Sequence, residues 1–78
     1  MQKIKLIWDF RGSSDVQKAT HYIKHLEEFF EEKNLELLEF GVETINDFHQ
    51  LAFAVIKKED VENVKHALKP HRAFLLKS

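Results

Sequence analysis

The chain has 78 residues, 44% of them hydrophobic and 32% charged, with 12 basic against 13 acidic side chains and a formal net charge of -1. That length accommodates one small domain, spanning 1–78, and the composition is too apolar and too evenly charged for disorder. The charge balance argues against a protein devoted to gripping nucleic-acid phosphates or an anionic membrane. With no cysteine, disulfides, thiolate metal sites and cysteine nucleophiles are excluded, a pattern that fits the cytoplasm.

Residues 3–11 alternate. Ile4, Leu6, Trp8 and Phe10 point one way, while Lys5, Asp9 and Arg11 share the other side with Ile7, which predicts a strand with one buried face. Asp9 and Arg11 interrupt this apolar stretch too early for a signal peptide, and no run approaches the length of a membrane span. Gly12-Ser13-Ser14 is a turn, with Ser14 as helix cap and Gln17 three residues later as in a capping box. In the helix that follows, Val16, Ala19, Ile23, Leu26 and Phe30 fall on one stripe. Tyr22 and Phe29 flank that stripe. Lys33-Asn34 is its expected end, since asparagine tolerates the left-handed conformation.

A second strand is expected over 36–45, with Leu38, Phe40 and Val42 on one face and Glu39 and Glu43 on the other. After the turn pair Asn46-Asp47, a third strand over 48–57 is apolar on both faces, as strands in the middle of a sheet are. Asp60 is placed to cap a short helix that turns Val61, Val64 and Leu68 inward, and Pro70 stops it. Ala73 to Lys77 reads as a last strand. The order β-α-β-β-α-β predicts an α+β, ferredoxin-like fold: a four-stranded antiparallel sheet in the order 4-1-3-2 with two helices on one face. Many unrelated functions share that architecture, so it supplies none by itself.

The predicted topology gathers Asp9, Arg11, Gly12, Ser13, Ser14, His49, His71 and Arg72 at the edge where strand one ends. Arg11, Gly12, Ser13, Ser14, His71 and Arg72 form a candidate site there for a carboxylate or phosphate, with arginine and helix N–H groups as the binding elements. The plainer account has Ser14 as a cap, Arg11 paired with a nearby acid, and the remaining charges solvated. His21 and His25 have the i, i+4 spacing of a metal chelate, but the wheel puts them opposite the core stripe, without a third ligand or shelter. They are weak metal candidates, so no metal and no cofactor is expected.

The sheet face away from the helices has no cover. Its character turns on strand three. Packing the larger Leu51, Phe53 and Val55 against the helices fills a core better and leaves Gln50, Ala52, Ala54 and Ile56 as a shallow open patch beside Ile7. Such a patch, rimmed by Lys5, Arg11, Glu39 and Glu43, suits a homodimer formed through this face or an edge strand. The opposite parity would liken Gln50–Ile56 to the base-stacking strand of RNA-recognition domains, although strand one offers no outward aromatic. Asp9 and His49 would form an acid–base dyad only if both faced the same side, and the favoured parity separates them. The expected role is therefore a small soluble binding or regulatory domain. The alternatives are an anion sensor, an enzyme completed at a dimer interface, and an RNA binder.

Overall fold

The computed structural model describes residues 2–12 and 16–76. Its elements run β1 (Lys3–Arg11), α1 (Val16–Glu32), β2 (Leu37–Asn46), β3 (His49–Lys57), a single 3-10 turn (Lys58–Asp60), α2 (Val61–Leu68) and β4 (Arg72–Leu76). All neighbouring strands are antiparallel, in the order β2-β3-β1-β4, which is the expected 4-1-3-2 in reverse. Ser13 and Ser14, the capping contact expected between Ser14 and Gln17, the inward placement expected for Val16, and the expected end of the last strand at Lys77 lie outside what is described.

One face of the sheet carries the core. Ile4, Leu6 and Trp8 of β1 pack with Ile23, Leu26 and Phe30 of α1 and Val64 of α2, and all are buried. Tyr22 and Phe29 pack against this cluster as its flank. α1 ends as its sequence predicts: Asn34 takes φ 60, Leu35 N–H reaches the Phe30 carbonyl at 2.9 Å and Asn34 N–H the Glu31 carbonyl at 3.2 Å. That is a Schellman closure, and it returns Leu35 to the core. The start of α2 differs from expectation. Asp60 makes no side-chain capping bond: the preceding turn runs straight into α2, Val61 N–H bonding to the Lys58 carbonyl, and Asp60 itself takes helical backbone angles (φ -93, ψ -6) rather than the extended ones of a cap. At its other end Lys69 takes φ 48, and Pro70 follows.

The larger correction concerns β3. The residues turned toward the helices are Ala52, Ala54 and Ile56. Ala52 sits opposite Trp8, and Ala54 opposite Leu6, so each bulky β1 side chain has a small neighbour and α1 can lie close. The local cause is the hairpin. Asn46 pairs with His49, yet Thr44 pairs with Gln50, and the register shift leaves Ile45 as the extra residue of a bulge. A one-residue shift sends every later side chain of a strand to the opposite face. Leu51, Phe53 and Val55 consequently share the helix-free face with Lys5, Ile7 and Asp9.

That face is not bare. The Lys5 ammonium lies 4.6 Å from the centre of the Phe53 ring and reaches across it to Glu43 at 3.5 Å. The ring in turn lies on Gly41, where a Cβ would meet Phe53 Cε1 at 3.0 Å. Beneath this cover Ile7, Leu51 and Val55 are buried. The helix-free face thus holds a second, thin apolar layer shielded by long side chains.

Candidate functional sites: a carboxylate cluster and two apolar sheet edges

At the exit of β1, alternation points Asp9 to the helix-free face, and the bulge-shifted register brings His49 beside it. Its carboxylate accepts from His49 Nε2 at 2.7 Å and from Arg72 Nη2 at 2.8 Å and Nε at 3.1 Å. Its side chain is only 12% exposed. Desolvation is the largest single influence on this carboxyl and pushes its pKa up. The hydrogen bonds from His49 and Arg72, with the attraction of both, together outweigh it and hold the group below its usual value. A bond to a carboxylate requires a donor, so His49 carries a proton on Nε2.

His71 completes the cluster differently. β4 begins at Arg72, opposite Ile7, so β1 runs past it. His71 N–H bonds to the Ile7 carbonyl at 2.9 Å, and His71 Nδ1 accepts the Asp9 backbone N–H at 2.8 Å. The imidazole stands in for the strand that has ended, which requires a lone pair on Nδ1. On the other side, Gly12 at φ 135 donates its N–H to the Phe48 carbonyl at 2.8 Å, tying the β1 exit to the hairpin turn. Phe48 N–H is itself held by Asn46 Oδ1 at 2.8 Å.

Four of the six candidate anion-binding residues are thus described. His71 and Arg72 meet around Asp9, Gly12 lies against the hairpin, and Arg11 is exposed opposite His49. Ser13 and Ser14 are outside the described residues. Asp9 and His49, separated by the expected parity, prove to be direct partners. The signal that could have joined them is the run of small residues Ala52 and Ala54, which suits positions beneath a helix.

His21 and His25 are exposed and stack edge to face at 4.8 Å between centroids. They border an open groove of about 410 Å³ with Phe10, Lys18 and Tyr22, on the flank of α1 rather than its back. No group of three possible metal ligands exists among the described residues. Tyr22 is half-buried there, and burial pushes its phenol above the usual value, with Trp8 opposing.

The apolar exposure lies elsewhere. The two edge strands carry Phe40 (41% exposed) and Val42 (36%) on β2, and Phe74 (48%) and Leu75 (53%) on β4, with Ile45 and Phe48 at the hairpin end. The register puts Phe40 and Val42 on the helix side of β2, opposite Ala54 and Ala52. On β4, Leu75 faces the helix side opposite Ile4, and Phe74 faces the other side opposite Lys5. Among the described residues, no helix is long and apolar enough to cross a membrane. Comparison with known proteins gives no match: no family model, no curated protein and no solved structure aligns with the chain.

Proposed function

We propose that this chain is a small cytoplasmic binding or regulatory domain that self-associates through its edge strands. One observation carries the reading. The large exposed apolar side chains are concentrated on β2, β4 and the hairpin between β2 and β3, where unpaired backbone groups also await a partner. The helix-free face is a weaker candidate for the interface, because Lys5 and Glu43 already cover Phe53. That cover also counts against stacking of RNA bases, despite the outward parity of Phe53. An anion at the β1 exit draws less support too, since the Asp9 cluster already engages Arg72 through two nitrogens and His71 through Nδ1.

Sedimentation velocity across a wide concentration range tests the proposal. Species larger than the monomer are expected, and Phe40→Lys or Leu75→Lys should remove them while leaving the circular dichroism spectrum unchanged. A wild type that stays monomeric at the highest concentration refutes it.

A further inference from the structure

Resting on this self-association reading, we propose that the association is head-to-tail: β4 of one copy docks antiparallel on β2 of the next, continuing one sheet. The strand directions permit it without inverting either molecule. β2 and β4 are each antiparallel to a strand of the central pair β3 and β1, which are antiparallel to each other. β4 is therefore antiparallel to β2, and a copy shifted sideways in the same orientation presents an antiparallel edge with its helices on the same side.

One register matches both edges. With Phe40 opposite Leu75 of the second copy, two exposed apolar side chains cover each other on the helix side, and Val42 falls opposite Ala73. On the other face Gly41, already covered by the Phe53 ring of its own chain, then lies opposite Phe74, so the two aromatic rings meet across the junction. Glu43, 48% exposed, comes opposite Arg72, 44% exposed. Asp9 already engages Arg72 through Nε and Nη2, so Glu43 contributes by the sign of its charge rather than by capturing a free guanidinium. The charges therefore agree with the apolar pairs on a single alignment.

Symmetric pairing of β2 with itself fares worse. Centred on Gly41, it sets Glu39 against Glu43, and like charges directly opposite destabilise a sheet. Centred on Val42, it sets Phe40 against Thr44. A head-to-tail contact does not close at two copies, so the association should continue past a dimer.

The test uses a chain with no native cysteine. Phe40→Cys and Leu75→Cys are made separately, mixed and oxidised; Val42→Cys is oxidised alone. Directly opposed residues have Cβ atoms about 5 Å apart, close enough for a disulfide after a small adjustment. The mixture should yield a covalent dimer, while each variant alone yields little, and wild-type sedimentation should show species beyond two copies. Glu43→Arg should weaken association about two- to fivefold. Association with efficient cross-linking of Val42→Cys alone, and none in the mixture, overturns the head-to-tail arrangement but leaves self-association standing. Absence of any association overturns both.

Discussion

Replacing Asp9 with asparagine keeps the shape of the side chain and one acceptor oxygen but removes the charge that His49 and Arg72 share. Three bonds of 2.7 to 3.1 Å converge on that carboxylate, and bonds to charged groups contribute about 1.5–3 kcal/mol each. The amide can retain part of this set, and the partly exposed Arg72 recovers water, so the expected loss is about 2 kcal/mol. A domain of this length has a total stability of about 4–12 kcal/mol, so the loss is readily measured. Urea titration followed by the fluorescence of Trp8, the sole tryptophan, should show the midpoint falling by about 1–2 M. The pH dependence supplies the second check. The folded-state pKa of Asp9 is depressed, so its contribution is complete above the unfolded value of about 4 and is lost as pH falls through the folded value. The gap between wild type and Asp9→Asn should be full at neutral pH and shrink in acid. A gap under about 0.5 kcal/mol at pH 7, or one that stays constant in acid, would refute the assigned role of the cluster.

Trp8 donates Nε1–H to the Leu68 carbonyl at 2.9 Å; Trp8→Phe should cost about 1 kcal/mol beyond its packing loss, read by circular dichroism in urea. Ala54→Leu tests the orientation of β3: beneath α1 it should destabilise by about 1–3 kcal/mol through overpacking, whereas an outward position would leave stability nearly unchanged. Gly41→Ala should destabilise because its Cβ meets Phe53 at 3.0 Å, and adding Phe53→Leu should recover part of the loss. A double-mutant cycle with additive effects would contradict that contact.

How much was legible depended on whether the information was periodic. The alternation of Ile4, Leu6 and Trp8, the stripe Ala19, Ile23, Leu26 and Phe30, and the stop at Asn34 each follow from local spacing or backbone preference, and all match the structure. The orientation of β3 does not follow from period, because both of its faces are apolar. It depends on whether Ile45 is counted into the ladder or bulged out of it, and a bulge leaves no periodic trace. That one residue also hid the candidate site, since turning β3 over is what brings His49 to Asp9. The cap at Asp60 failed for a different local reason: the Lys58–Asp60 turn leads directly into α2 and gives Asp60 a helical backbone, not the extended one a capping side chain needs.

The placement of β1 between β3 and β4 bears on the order in which the molecule assembles. Its first neighbour arrives some forty residues later along the chain, as in Asp9 with His49, and its second some sixty residues later, as in Asp9 with Arg72. Long loops must close before either contact forms, which slows folding relative to helical domains of the same size. Until Arg72–Leu76 is added, the Ile4, Leu6 and Trp8 strand is itself a free edge. A chain cut at Pro70 would therefore expose this apolar strand to chaperones and to other nascent chains.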